Sequence, residues 1–485
     1  MIFNSVTYVV FLVTVVLLYW VLPQKPRRWL LLLSGLTFYG FWRLEYIPVM
    51  LFQTVTDYTL ARMIYGTADP RRRKLLLVIT LITNLGLLAY FKYSMFALDN
   101  AVNLLNLFGL DLHIKPWNIL LPLGISFYTF HSLSYTIDVY RGFIKPERDF
   151  VIMATFVSFF PQLVAGPILR AREVIPQLEH RPRFQLDSVL IGIRRILFGL
   201  FLKVVLADNI APLVDSGFAQ ASGTLSALDV WTLAFLFGFQ IYFDFSAYSH
   251  IAIGSALLMG IRFPENFNFP YMARSPRDFW RRWHISLSSW VRDYVYLPLT
   301  GSKLQDTSKG GLALAADAEN TRSKTLALFL TWAIMGLWHG ANWTFMIWGL
   351  YHASLIFLYR LLHNSVGMLD SWRSKIAGWM VTLPLVMLGW IFFRAETLDQ
   401  AFGMISKVFN PLGYLSLGLR ESTYLIAAAL LVAIIAAYFV DSLPAPRRTG
   451  ERIAWVAGES IAITVAVVLV FVYLRPISQF IYFQF

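Results

Sequence analysis

The sequence predicts an all-α polytopic membrane protein, and three observations carry that expectation. Of its 485 residues, 57% are hydrophobic and only 14% charged, whereas a soluble domain carries roughly 25% charged residues. The apolar runs are of helix length and lack the alternating segments of an outer-membrane barrel. The basic residues behind a net charge of +13 fall largely in short stretches between those runs. The positive-inside effect explains that placement better than nucleic-acid binding, so no nucleic-acid partner is expected. Cysteine is absent, which removes disulfides, thiolate metal sites and a cysteine nucleophile together.

Phe3 to Leu22 is apolar without a basic leader or small-residue cleavage site, and reads as a first spanning helix rather than a signal peptide. Lys25, Arg27 and Arg28 follow, placing that end in the cytoplasm and the N-terminus outside. Arg71 to Lys74 is a second cytoplasmic cluster, so Trp29 to Tyr65 should cross twice as a hairpin bent near Glu45 and Pro48. Leu75 to Leu98 leaves the cytoplasm, Asp99 to Trp117 forms an external loop, and Ile119 to Val139 returns to the inner loop at Arg141 to Arg148.

Val151 to Ile168 holds Pro161, Gly166 and Pro167 and suits a broken or re-entrant segment. Arg170 to Arg183 reads as a cytoplasmic loop with short helices. Val189 to Leu206 is interrupted by Arg194, Arg195 and Lys203, which should snorkel or line a cavity. Val230 to Gly260 is long enough for a bent hairpin, with Asp244 and His250 either lining a cavity or paired within the bundle.

In Ser275 to Leu299, Trp280, Trp283, Leu287, Trp290 and Tyr294 form one helix face and Arg277, Arg281, His284, Ser288 and Arg292 another. This amphipathic helix either lies in the headgroup region or offers its basic face to a phosphate-bearing ligand. Gly301 to Lys324 is polar and expected to be mobile.

Thr331 to Gly349 is long and apolar enough to lie in a bilayer, yet carries His339 at its middle with Gly336 and Gly340 beside it. A buried histidine at membrane depth either hydrogen-bonds a neighbour or serves a site, and the glycine spacing admits a backbone or a ligand. His352 follows in the apolar stretch Trp348 to Leu362, and Trp379 to Phe393 spans again. Asp399 to Leu419 is partly amphipathic, with a turn at Asn410-Pro411. Tyr424 to Val440 spans, Arg447 to Arg452 is cytoplasmic, and Ile453 to Leu474 crosses last, leaving the terminal F-I-Y-F-Q-F outside. The total is about ten to twelve membrane segments, in a single domain over residues 1–485 without an internal repeat.

No P-loop, dinucleotide fingerprint, H-E-x-x-H or G-x-S-x-G elbow is present, and no metal is expected. Two histidines and a basic entrance fit a reaction between a phosphate-bearing acyl donor and a hydroxyl. They fit equally a transporter with a proton relay.

The motifs separate these readings. W-H-G at Trp338 to Gly340, preceded by F-W-R-R-W-H-I-S-L-S-S-W-V-R-D-Y-V-Y from Phe279, closely resembles the membrane-bound O-acyltransferase family. Further blocks resemble its bacterial branch: S-F-Y-T-F-H-S-L-S-Y-T-I-D-V-Y-R-G from Ser126, F-F-P-Q-L-V-A-G-P from Phe159, D-F-S-A-Y-S from Asp244 and R-F-P-E-N-F-N-F-P-Y from Arg262. That branch includes membrane proteins of alginate, cellulose and peptidoglycan acetylation and of teichoic-acid D-alanylation. The resemblance implies a ring of helices around a tunnel, with His339 as the essential residue and His284 as the second polar position. His339 would deprotonate the incoming hydroxyl or take the acetyl group itself, and His284 would orient the donor carbonyl or steady the oxyanion. Acetyl-CoA is the implied donor, with Arg277, Arg281, Arg292, Trp338 and Asn342 as candidate donor-binding residues.

The implied acceptor lies outside a bacterial inner membrane, and an SGNH-type acetyltransferase or accessory protein completes transfer to a polysaccharide. His250 departs from the family pattern, since relatives commonly have aspartate there. A non-catalytic carrier or an export scaffold are the competing classes; a carrier would show an inverted repeat.

Overall fold

The computed structural model describes residues 1–112, 119–164, 166–220, 223–302, 304–306, 312–314, 323–366, 371–443 and 449–474. The chain runs through α1 (Val6–Val21), α2 (Gln24–Gly40), α3 (Ile47–Gly66), α4 (Pro70–Leu107), α5 (Ile125–Arg141), α6 (Phe150–Ser158), α7 (Ala171–Glu179) and α8 (Leu186–Leu200). It continues with α9 (Asp208–Phe218), α10 (Ala227–Leu258), α11 (Pro276–Arg282), α12 (Ile285–Val291) and α13 (Leu297–Thr300). The last helices are α14 (Lys324–His339), α15 (Trp343–Val366), α16 (Trp372–Arg394), α17 (Leu398–Val408), α18 (Glu421–Asp441) and α19 (Thr449–Val472). Among the described residues, six helices are long and apolar enough to cross a membrane: α4, α10, α15, α16, α18 and α19. The expected larger number of crossings would need shorter helices such as α1 to span as well. Large apolar side chains stand exposed along α1, α4 and α18, among them Val10, Leu17, Ile82, Leu425 and Val432. Lipid is the medium that suits such faces.

Two compact units are distinguished. The first comprises Met1–Arg195, Ile251–Pro264 and Asp306–Ala313. Here the bend expected near Glu45 and Pro48 falls between α2 and α3, with a 3-10 turn at Leu44–Tyr46 and Pro48 in the opening turn of α3, where its missing N–H is no loss; neither helix is among the six apolar spans. Helix α4 opens on Asp69, whose side chain accepts from Arg71 N at 3.0 Å, and runs on to Leu107. The loop expected from Asp99 therefore starts later, because the first residue suited to a stop is Gly109, which adopts a φ of 85°. Arg27 is not a loop charge: it is 2% exposed, its guanidinium lies 4.5 Å over the Tyr19 ring, and Nη2 donates to the Leu22 carbonyl at 3.0 Å. After α6 the F-F-P-Q block loses regular structure while staying buried, as expected of a broken segment.

The second unit comprises Ile196–His250, Glu265–Gln305 and Leu314–Phe485. Within it α8 loosens into a π-helical turn at Phe201–Ala207. That turn brings Lys203 Nζ to 2.8 Å from Asp208 Oδ1 and from Asp244 Oδ1. The bent hairpin expected over Val230 to Gly260 is instead one helix, α10. Asp244 finds its cation on a neighbouring segment, and no proline interrupts the stretch, so the polar residues require no bend. The turn at Asn410-Pro411 forms as read, with a 3-10 turn at Pro411–Tyr414. Most of Gly301 to Lys324 lies outside the described residues, as does the C-terminal F-I-Y-F-Q-F.

Candidate active site

His339 is the last residue of α14 rather than the middle of a longer helix. Ser323 caps the start of α14 by accepting from Leu326 N at 3.2 Å. The helix ends because Gly340 is extended, at φ −159° and ψ 148°, and Asn342 begins the next one. Asn342 Oδ1 accepts from Thr344 N at 3.1 Å, and Nδ2 donates to the Glu396 carbonyl at 3.1 Å. This candidate donor-binding residue thus uses both ends of its amide in shaping the turn after His339.

His339 is 4% exposed and walled by aromatic rings. The centroids of Trp338, Trp348 and Phe393 lie 4.9, 5.0 and 5.3 Å from the imidazole. Helices α14 and α15 cross backbone to backbone. A β-carbon on Gly336 would strike the Phe345 carbonyl, and one on Gly349 would strike the Trp332 carbonyl. Gly340 faces the Phe345 ring at similarly short range. The expected space beside Gly336 and Gly340 is therefore already taken by α15, and these glycines serve the helix crossing.

The amphipathic helix expected over Ser275 to Leu299 is broken. Segment α11 starts on Ser275, whose hydroxyl accepts from Asp278 N at 3.1 Å, and ends before Trp283. Trp283 is extended and His284 takes a φ of 41° in the left-handed region, where a non-glycine residue needs compensating contacts. The R-F-P-E-N-F-N-F-P-Y block supplies them. Ile285 N donates to the Asn266 carbonyl and Asn268 N to the Arg282 carbonyl, both at 2.9 Å. The Asn266 side chain lies 3.1 Å from His284 Nδ1. His284 is fully buried, its ring edge-on to Phe245 of α10 at 4.6 Å. Burial pushes its imidazole well below the usual range and keeps it neutral.

A set of indole and phenyl rings connects the two histidines. Trp283, next to His284, lies 4.8 Å from Trp390. Trp390 lies 6.0 Å from Trp348 and 5.5 Å from Phe393, and both of those rings touch His339. A third histidine, His352, is fully buried and lies parallel to Phe279, with 6.1 Å between centroids.

Beside this cluster is a cavity of about 470 Å³. Its polar wall includes Arg277, Ser288, Arg292, Thr331, Tyr359, Arg360 and His363, and its apolar wall includes Trp280, Trp332 and Met335. Thr331 and Met335 precede His339 by eight and four residues on one face of α14. Neither His339 nor His284 lines the cavity; His339 lies one turn beyond Met335 on the same helix, about 6 Å further along its axis. Of the candidate donor-binding residues, Arg277 and Arg292 line this cavity, whereas Arg281, Trp338 and Asn342 do not. Arg281 is exposed, and Trp338 packs against His339.

Sequence reasoning missed Arg360, His363 and Asn266. The first two were legible: Ile356, Tyr359, Arg360 and His363 repeat at helical spacing and share the cavity-lining face of α15. Asn266 had no local signal, because its partner lies eighteen residues on in the chain.

Comparison with known proteins identifies the family. The pattern of the membrane-bound O-acyltransferase family matches residues 146–395, which contain both histidines and the cavity wall. The chain is 39% identical to the "Probable alginate O-acetylase AlgI" of Azotobacter vinelandii over 93% of its own length and 87% of that protein. It is 38% identical to the protein of the same name from Pseudomonas aeruginosa, over 84% of this chain and 75% of that one. To the "Peptidoglycan O-acetyltransferase" of Helicobacter pylori it is 32% identical, over 96% and 92%. With these similarities over most of its length, the chain belongs to the membrane-bound O-acyltransferase family and is a multi-pass membrane O-acyltransferase.

Proposed function

We propose that the protein moves acetyl groups from cytoplasmic acetyl-CoA, through a tunnel in the bacterial inner membrane, to an extracytoplasmic hydroxyl acceptor. An SGNH-type acetyltransferase or accessory protein then completes O-acetylation of a polysaccharide of the alginate type. The observation that carries this reading is that the α14 face lining the arginine-bearing cavity ends in His339. The named activities of the relatives support acetyl transfer to a cell-envelope polymer, and alginate is favoured because relatives of that name share 39% and 38% identity. The basic stretches at Lys25 to Arg28, Arg71 to Lys74 and Arg447 to Arg452 favour a topology with both termini in the periplasm.

The residues present suit such a donor. Arg277, Arg292 and Arg360 offer guanidinium forks to phosphates, and Trp280, Trp332 and Met335 offer an apolar wall to a slender thioester arm. The donor supplies an activated acyl carbon whose sulfur leaves readily. His339 accepts the proton of the incoming hydroxyl as the ester C–O bond forms and the C–S bond breaks, then returns it to the departing thiolate. Its aromatic walls exclude water, which favours transfer over hydrolysis.

The test is purified protein in nanodiscs with labelled acetyl-CoA and an oligomannuronate acceptor. The chain has no cysteine, so thiol released on turnover belongs entirely to coenzyme A. His339→Ala should lose on the order of 10²- to 10⁴-fold in rate, the range for removing a general base, while still inserting and purifying normally. Near-normal turnover in that variant would reject the assignment. Donor binding without turnover in the unmodified protein would point instead to a carrier.

A further inference from the structure

The contacts around His284 decide which ring nitrogen carries its proton. Asn266 Oδ1 receives Ser286 Oγ at 2.8 Å and the Ser286 backbone N–H at 3.4 Å, and Asn266 Nδ2 donates to Ser249 Oγ at 3.0 Å. A backbone N–H can only donate, so the amide atom facing Ser286 is the oxygen. That same oxygen lies 3.1 Å from His284 Nδ1, with Ser286 Oγ a further neighbour at 3.4 Å. A carbonyl oxygen cannot donate, so Nδ1 carries the hydrogen and Nε2 carries the lone pair. Nε2 is buried and has no hydrogen-bond partner among the described residues. A buried acceptor without a donor is unfavourable, and its persistence at a site points to a group that arrives with the ligand.

We infer that Asn266 is a positioning residue that fixes His284 as its Nδ1-protonated tautomer, so that Nε2 accepts a hydrogen bond from a substrate O–H or N–H group. Neutral His284 then offers no N–H at Nε2 to an oxyanion, and the carbonyl-steadying role implied by the family resemblance falls to other groups. Two sources have the required chemistry: the acceptor's hydroxyl, and an amide N–H along the thioester donor's arm. The inference rests on the active-site reading above, and its test separates the two, because His339→Ala probes that reading and the Asn266 variants probe this one.

The charged groups on the segments meeting at His284 are Asp244, paired to Lys203, and Glu265. The others are Arg281, Arg282 paired to Asp278, and Asp293 paired to Arg292. A carboxylate placed at residue 266 would join this set directly against Nδ1. Asn266→Asp keeps an acceptor for Nδ1–H and raises the imidazole's proton affinity. Asn266→Leu removes the acceptor at similar volume.

The full-length protein in nanodiscs is assayed by thiol release from acetyl-CoA, with and without oligomannuronate, across pH, alongside thermal unfolding. Asn266→Leu should lose on the order of 10- to 100-fold, by analogy with the loss of a partner that orients a metal-ligating histidine. Asn266→Asp should keep most of the rate but move the acidic limb of the profile to higher pH, since Nε2 must be unprotonated to accept. An increase in KM confined to acetyl-CoA identifies the donor's amide as the partner, and one confined to oligomannuronate identifies the hydroxyl. Equal losses in both variants with an unmoved pH profile would overturn the inference and leave Asn266 a structural brace. Full activity in Asn266→Leu would overturn it as well.

Discussion

Lys203→Met tests whether the buried charges beside the site are held in balance. The Lys203 side chain is 2% exposed and lies 2.8 Å from one oxygen of each of Asp208 and Asp244, whose side chains are 18% and 5% exposed. Methionine keeps the unbranched shape and most of the packing but removes a positive charge shared by both carboxylates. Asp208 can rehydrate at its exposed edge, so the penalty concentrates on Asp244. Removing one partner of a buried pair costs about 3–5 kcal/mol, most of it from the charge left behind.

That cost should reach the site, because Asp244 precedes Phe245, whose ring stands 4.6 Å from His284. Tryptophan fluorescence during thermal unfolding in nanodiscs, paired with thiol release, reads both effects. Lys203→Met should lower the midpoint strongly and depress turnover. The double variant Lys203→Met with Asp244→Asn removes the stranded charge at nearly constant shape, and should recover a large part of both. If the double variant is as unstable as the single one, charge compensation is not what Lys203 contributes. If Lys203→Met is as stable as the unmodified protein, the triad carries no structural weight.

Two further sets of substitutions, at glycines and at arginines, follow from the geometry. Gly349→Val puts a branched side chain against the Trp332 carbonyl. Overpacking of this kind costs about 1–3 kcal/mol, and forcing α14 from α15 should lower both the unfolding midpoint and turnover. Gly86→Ala, where nothing lies within 4 Å of the added carbon, should be neutral or slightly stabilising in the same assay. Arg277→Gln, Arg292→Gln and Arg360→Gln should each raise KM for acetyl-CoA about tenfold, the loss of one charge-assisted hydrogen bond, with kcat little changed and a weaker salt dependence. Arg281→Gln should leave KM unmoved, since Arg281 does not line the cavity; an equal effect at Arg281 would place the donor's phosphates elsewhere.

The helical frame was legible because a bilayer imposes it: long apolar runs punctuated by basic clusters leave the backbone few alternatives. His339 was legible for the complementary reason, as a polar group that such a run should not contain. Features that depend on partners far apart in sequence were not legible. Lys203 and Asp244 are forty-one residues apart, so the sequence left Asp244 as either lining a cavity or paired within the bundle, and α10 read as a bent hairpin. Gly336 and Gly340 showed close approach by their spacing, but spacing does not say what approaches, and the neighbour is α15.

The break at His284 shows why pattern alone misplaced the basic residues. Trp280, Trp283, Leu287, Trp290 and Tyr294 keep helical spacing straight through it, so a single helix satisfies the periodicity. A straight helix would range Arg277, Arg281, His284, Ser288 and Arg292 along one polar stripe. The left-handed turn at His284 divides that stripe into parts with different surroundings. His284 goes into the core against Asn266 and Phe245, Arg281 stays exposed, and Arg277, Ser288 and Arg292 share the wall of one cavity. One strained residue thus separates a buried imidazole from the guanidinium groups on its own amphipathic face. Each can then meet a different part of the same reaction.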